Sequence, residues 1–575
     1  MTSTRRFLLI GLSALVLTAS SFVATGCHRK SRPELFTTHL TEIEGVQAIY
    51  TLRHPKLIIA DLDKLMTAVP ETVLLRMGLA QLTPYGYPEF SELATGSNIG
   101  VAMLEPTTEE LKTGKLTVVG FAKLKEGGKI WTALKQSGLA LQKHDEWTWI
   151  AKDAASFEKI KAPAAITAFI DRPQIEELRA WGRVTPALLT SVKELLLPKI
   201  QAKLSTRPAA EQKALLAYID VLWSYLAQLH SIGSAIAFND QGLTLTYSAQ
   251  FLPDSATGIW LRYAPGPAPK IARSVPSDGL MSVVFRQNMD GQIAFVRTLL
   301  DALIAVDYPA GAELLKAVKS SYLAFAGQSD GSGVLTMNMT LPTSGQTPEI
   351  DMLGVYSGRF TEAQVTAFYE NIITLSQKCT NAIFTAISTM TPHTPVPAIH
   401  QQLTENALTV DGTSFGSVIT TTKTTIAGKK QTATMTQYYG VIRGNLVYAT
   451  NETALREKVP ALAAKNPVPN SVESMFKNNE IAVMAVHGEK IVDMVAKSAH
   501  IDLSDADIQA QIKTLKQSYA ESGPITATIV MSQAQGTATI SIPYKFVEQS
   551  MRLGQFASAK AKATNTPTAP KPVTP

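Results

Sequence analysis

Four times along this chain a short apolar run leads straight into a segment with apolar residues at helical spacing, and that recurrence restricts the fold more than any other feature. The runs are residues 57–60 ahead of Asp63, 166–170 ahead of Asp171, 281–285 ahead of Asn288 and 481–486 ahead of Glu489. Apolar residues then return every three or four positions, as Ile175, Leu178 and Trp181 do, or Ile293, Val296, Leu299 and Leu300. The polar residue between run and helix supplies a helix start. After the helices comes a pair of alternating strands, clearest at 235–238 and 243–247 around Asn239-Asp240-Gln241-Gly242, and again at 525–531 and 537–542 around Gln535-Gly536. Residues 98–124 and 333–356 carry looser versions. One wet face per strand predicts antiparallel sheets covered on the other side by helices.

A Pro-rich stretch, Ala264-Pro265-Gly266-Pro267-Ala268-Pro269, falls between the second and third repeats and favours extended chain over helix or sheet. A second candidate hinge is Asn466-Pro467-Val468-Pro469-Asn470. The halves on either side of the first stretch echo each other locally. Residues 147–153 lead into a helix that Asp153 would cap, and 445–451 into one that Asn451 would cap. The expected fold class is therefore α+β: two related halves, each an antiparallel sheet backed by helices, at 47–263 and 275–548 with a linker at 264–274. From Ala557 to Pro575 the composition turns to Ala, Lys, Thr and Pro, which predicts a disordered tail over 549–575.

The N-terminus has its own logic. Arg5 and Arg6 precede a continuous apolar run from 7 to 17, then small residues lead to Ala24-Thr25-Gly26-Cys27. A spanning helix needs roughly 20 apolar residues, so this order of charge, grease and small residues predicts a cleaved secretory signal over 1–26. The residues around Cys27 resemble the lipobox of bacterial lipoproteins, with Ala24 where that family usually has Leu. The resemblance implies diacylglycerol on the Cys27 thiol, cleavage before it, and a tether over 27–46. Several acyl chains anchor stably, since each buried methylene contributes about 0.8 kcal/mol. His28 stands where Asp marks inner-membrane retention in enteric lipoproteins, so the resemblance favours the outer membrane, with the body in the periplasm or at the cell surface. In layout, residues 47–547 also resemble uncharacterised bacterial envelope proteins of repeated strand, helix and hairpin units, which implies a fold style and no activity.

With Cys27 acylated, Cys379 stands alone, leaving no pair for an intramolecular disulfide; it falls in a predicted helix over 368–381 and reads as an inert thiol. A net charge of +6 on 575 residues is too mild and dispersed to point to nucleic acid.

Catalytic signatures are weak. Gly412-Thr413-Ser414-Phe415-Gly416 has the Gly-x-Ser-x-Gly spacing of a nucleophile elbow, but the β-branched run 417–422 follows where the elbow needs a helix, so a hairpin turn is expected. Ser156-x-x-Lys159 and Ser474-x-x-Lys477 match one signature of penicillin-binding enzymes, yet Lys112-Thr113-Gly114 precedes both serines instead of following them. His393 and His400 flank a Pro-rich loop without zinc-ligand spacing, and Asp301, Asp307, Asp330 and Asp351 lack calcium-loop spacing. Broad apolar stripes over 188–204 and 210–230 suit sheet cover better than an acyl groove.

The expectation is a non-catalytic binding or scaffolding lipoprotein, held on the membrane through Cys27, without cofactor or metal, whose partner is an envelope protein, a cell-wall polymer or a lipid. The alternatives are a lipid or lipoprotein carrier in the periplasm, or an envelope hydrolase with Ser414 as nucleophile.

Overall fold

A computed structural model describes residues 43–564 apart from 55–56, 58–92, 94–96, 114, 173–175, 206–207, 240–241, 263–267, 307–308, 341–348, 391–397, 427–428, 465–466, 477–479, 499–504 and 533. Cys27, the signal, most of the tether and residues 565–575 lie outside that set.

The chain opens with β1 (Val46–Leu52), β2 (Ile99–Leu104), the short helix α1 (Thr108–Thr113) and β3 (Val118–Ala122). Helix α2 (Lys129–Gln136), β4 (Ala140–His144), β5 (Trp147–Ala151), α3 (Ala155–Glu158) and α4 (Pro163–Ile170) then lead to β6 (Leu178–Arg183). Two long helices, α5 (Pro186–Leu204) and α6 (Ala209–Leu226), precede the paired strands β7 (Leu229–Asn239) and β8 (Gly242–Phe251).

Helix α7 (Ala256–Leu261) and a 3-10 turn at Lys270–Ser274 connect to β9 (Met281–Arg286), followed by α8 (Met289–Ile304), α9 (Pro309–Ala326), β10 (Ser329–Thr340) and β11 (Glu349–Gly358). The 29-residue helix α10 (Glu362–Met390) leads into three long strands, β12 (Ala398–Val410), β13 (Thr413–Ile426) and β14 (Lys429–Ile442), and then β15 (Asn445–Ala449) and α11 (Glu452–Ala464). A second 3-10 turn, Val472–Met475, precedes β16 (Ala482–Val486), α12 (Gly488–Ser498), α13 (Ala506–Ser522), β17 (Ile525–Ser532), β18 (Gln535–Pro543) and α14 (Tyr544–Thr564).

The 18 strands among the described residues belong to one sheet. Each pairing is antiparallel, and together they run in a single unbranched order, β4-β5-β3-β2-β1-β6-β7-β8-β18-β17-β16-β9-β10-β11-β15-β14-β13-β12. The fold is α+β, a large antiparallel sheet backed by helices. A β-branched and aromatic core fills the first part around Ile49, Val119, Phe121, Ile166 and Ile170; a second, around Val284, Val334, Phe415, Val447 and Leu455, fills the latter part.

The Pro-rich linker does not interrupt this sheet, because β8 pairs with β18 over nine positions, from Gln250–Gln535 to Gly242–Pro543. The second candidate hinge is pinned rather than free. Val468 N donates to Arg273 O, Ser277 N to Asn470 O and Val472 N to Val275 O, so this stretch packs on the end of the linker. Val472 is fully buried there.

One of the expected strands falls elsewhere, and another lies almost wholly outside the described residues. Residues 166–170 are the end of α4, where Pro163 in the first turn starts the helix and Ile166, Phe169 and Ile170 bury one face at helical spacing. The strand of that repeat is β6, so Leu178 and Trp181 are strand residues and not helical. Of the run 57–60, residues 58–60 lie outside the described residues; the strand described before it is β1. The runs 281–285 and 481–486 do form strands, and Asn288 caps α8 by accepting from Gly291 N at 3.1 Å. The expected caps also form: Asp153 accepts from Ser156 N at 3.0 Å and Asn451 from Ala454 N at 2.7 Å.

The tail begins later than the composition implied. Helix α14 continues to Thr564, and Phe546, Gln549 and Leu553 are buried, Phe546 and Leu553 against Val492 and Tyr519, because an apolar residue falls on the inner face at each turn before the Ala/Lys run begins. Among the described residues no helix is long and apolar enough to cross a membrane.

Candidate functional site

The concave feature with converging polar groups lies between α10 and the sheet beneath it. The sequence starts α10 with a capping box. Thr361 Oγ accepts from Gln364 N at 3.3 Å while Gln364 Oε1 accepts from Thr361 N at 3.0 Å. Phe360 just before the cap and Val365 one turn on are both buried in one cluster, a hydrophobic staple that fixes the helix's angle of entry. Spacing of four then stacks Glu362, Thr366 and Glu370 in a column along one side, and all three line the groove.

The opposite wall is β12. Its register slips between Thr404 and Leu408, a bulge in which Asn406 takes φ 50°, a left-handed conformation that Asn tolerates better than most residues. Bulges re-aim side chains, and this one turns Glu405 and Asn406 to the groove.

The floor is Tyr439 on β14. Its ring stacks on Tyr369 of α10, with centroids 4.2 Å apart and planes at 21°. Gly416, its cross-strand partner on β13, leaves the space for it: a Cβ there would stand 2.4 Å from the Tyr439 ring. Tyr439 is only 2% exposed, and its hydroxyl lies beside Thr366, inaccessible to solvent and short of a hydrogen bond of full geometry. Burial pushes this phenol above its usual range, opposed by the Thr366 hydroxyl and reinforced to a smaller extent by the charges of Glu405 and Glu370. Burial does the same to Tyr369.

The groove holds about 410 Å³, within the ~300–1,000 Å³ common for small-molecule sites. None of Glu362, Glu370 and Glu405 pairs with a cation among the described residues. No family model, curated protein or solved structure matches this chain. The groove must therefore be read from its own chemistry.

Ser414, the hydrolase nominee, opens β13 at the edge of this groove. Its Oγ donates to Asn406 Oδ1 at 2.5 Å, and an amide oxygen is no base that could activate it. Asp411 (φ 48°) and Gly412 (φ 75°) form a two-residue hairpin turn, so the Gly-x-Ser-x-Gly spacing serves a turn and, at Gly416, a ring contact.

The other motifs also take structural places. Ser156 Oγ donates to Asp153, Lys159 pairs with Glu110 at 2.8 Å, and Ser474 Oγ donates to Ser471 O. Thr113 ends α1, while Gly114, Lys477, His393 and Asp307 lie outside the described residues. His400 is exposed on β12. Asp301 pairs with Lys319, Asp330 accepts from Ser332 and Ser357, and Asp351 bonds Asn451. Cys379 falls within α10. Of the groove residues, sequence reading singled out only Ser414 and Gly416. The capping box and the column of Glu362, Thr366 and Glu370 were the available signal for the rest.

Proposed function

We propose that this chain is an envelope lipoprotein, anchored through Cys27, that binds a ligand or partner in the groove between α10 and β12–β14 and does not transform it. The observation that carries this reading is the groove itself, about 410 Å³ lined by Glu362, Glu370 and Glu405, none of which pairs with a cation among the described residues. The lipobox resemblance supports the anchor and, with His28 after the Cys, the outer membrane. The body is the product of a duplication. Outward from the β8–β18 pair the order is β8, β7, β6, β1, β2, β3, β5 one way and β18, β17, β16, β9, β10, β11, β15 the other, and a side-chain cap follows both β5 and β15.

Two measurements test the proposal. Radiolabelled palmitate should label the wild type and not Cys27→Ala; unlabelled wild type would remove the anchor. Native mass spectrometry of the Cys27→Ala body, exported with a cleavable signal and incubated with a soluble envelope extract, should show an added mass. That mass should vanish in Glu370→Gln/Glu405→Gln, and a clean protein mass throughout would sink the groove as a binding site.

A further inference from the structure

We infer that the helical hairpin of α5 and α6 docks on an anionic phospholipid surface, holding the body against the membrane by a face of its own. The choice of a membrane rests on the Cys27 anchor reading above and is independent of the groove.

The two helices are more apolar than their cover warrants. Leu195, Leu196 and Leu197 fill three successive positions of α5, and Val221, Leu222 and Trp223 three of α6, so each set spans about 200° of its helix. A helix that is apolar on most sides belongs in a core or in lipid. Yet only Ser191, Val192 and Ala214 are buried in this pair, and Leu222 is 50% exposed. Sheet cover, the expected role of these stripes, is made at the root, where Leu189 packs on Val184, Leu229 and Ala249. The comparable pair α12–α13, between β16 and β17, buries Val492, Ile508 and Tyr519, because α14 lies against both helices. After β8 the chain offers only α7, six residues long. That helix leans on α8 through Trp260 and Phe295, and leaves Leu252 and Ile259 exposed next to Gln228 at the end of the hairpin.

Two further observations identify the occupant. The chain enters the body beside the root of the hairpin. Strands β1 and β6 run antiparallel, Gln47 Nε2 donates to Arg183 O, and α5 begins three residues later at Pro186. A tether from Cys27 therefore meets the sheet at the end from which the hairpin leaves. The 19 residues from Cys27 to Val46 reach at most ~65 Å, ample against the ~28 Å length of α5. Lys199 and Lys203 stand one turn apart toward the far end of α5, exposed and without an acidic partner among the described residues. Leucine and tryptophan beside unpaired lysines match an interfacial helix, which seats its apolar side among acyl chains and its cations among anionic headgroups.

The test is flotation, at low ionic strength, of the unacylated Cys27→Ala protein exported as above. One set of vesicles contains phosphatidylcholine and phosphatidylglycerol in equal parts, the other phosphatidylcholine alone. The protein should float with the first and partition about 10-fold more weakly into the second. Leu222→Asp/Ile259→Asp, at two exposed positions, should lower partition on the order of 10-fold or more without lowering the melting temperature. Lys199→Glu/Lys203→Glu should lower it on the order of 10-fold on the mixed vesicles. Failure to float with either vesicle, equal partition into both, or partition unchanged in Leu222→Asp/Ile259→Asp overturns the inference. So does a dimer of the unacylated protein in light scattering that this variant splits, which would give the face to a second copy. Palmitate labelling reads the anchor separately. A labelled wild type whose unacylated form stays off vesicles keeps the anchor and removes the docking face, whereas flotation of a chain that takes no label keeps the face and removes the anchor.

Discussion

Tyr439 and Gly416 show how far one cross-strand pair can carry an argument at the scale of single residues. The Tyr439 hydroxyl forms no hydrogen bond of full geometry in the fold, so Tyr439→Phe removes a desolvated polar atom without removing a contact. We expect its stability in urea unfolding to equal the wild type or exceed it by up to about 1 kcal/mol. Gly416→Ala should act oppositely. Its new Cβ would press on the Tyr439 ring, and overpacking of this kind costs about 1–3 kcal/mol, read as a lower urea midpoint at constant m-value. The pair was half legible. Gly412 and Gly416 stood out in the sequence for the wrong reason, as a hydrolase spacing, because a glycine that makes room for a ring 23 positions away leaves no local signature. Tyr439 itself carried no signal, since a buried tyrosine beside another tyrosine reads as core.

Among elements, those with strong local instructions could be read and those defined by tertiary neighbours could not. The caps at Asp153, Asn288 and Asn451 and the pair β7–β8 were visible because polar starts and alternation are local properties. Strand β6 was hidden. It lies between β1 and β7 and places Arg179 and Arg183 against Glu176 and Glu105, so a strand flanked on both sides carries two charges and no clean alternation. Residues 166–170 took its place in the reading because a short apolar run does not distinguish strand from buried helix.

Helix caps also yield two tests. Thr361→Ala opens the capping box of α10 and should cost about 1 kcal/mol in urea unfolding. At α1, Glu110 is bonded by Lys159 Nζ, Thr107 N and Thr117 Oγ, which lower its carboxyl from the usual 4.5 to about 2. A lowered acid contributes its stability above the unfolded value and loses it as pH falls through the folded one. Glu110→Gln should therefore lower the melting temperature at neutral pH, and the difference from wild type should shrink between pH 4.5 and about 2.

Across the whole molecule, the β8–β18 pair is the only strand pairing among the described residues that joins the part before the Pro-rich stretch to the part after it. Separating the two would strip β8 of nine residue pairs and leave a ten-residue open edge. Such edges seek another strand. A fragment of residues 43–262 should self-associate through β8, visible as a dimer or larger species by light scattering, whereas a stable monomer would mean that the edge is covered some other way. The α+β class was legible from the repeats, because each repeat advertises its own periodicity. The single continuous sheet was not, since the register that joins β8 to β18 spans almost 300 residues of chain.

Strand β1 lies deep within that order, clasped by β2 on one side and β6 on the other, in register along most of its length. The chain preceding Val46 enters the body at one end of this strand. Tension applied from that direction is thus directed along β1 and meets both ladders of hydrogen bonds in shear, so many bonds must yield together, whereas a strand peeled from a sheet edge gives them up one at a time. A body held by its leading end is, by this placement, gripped where it best resists being pulled apart.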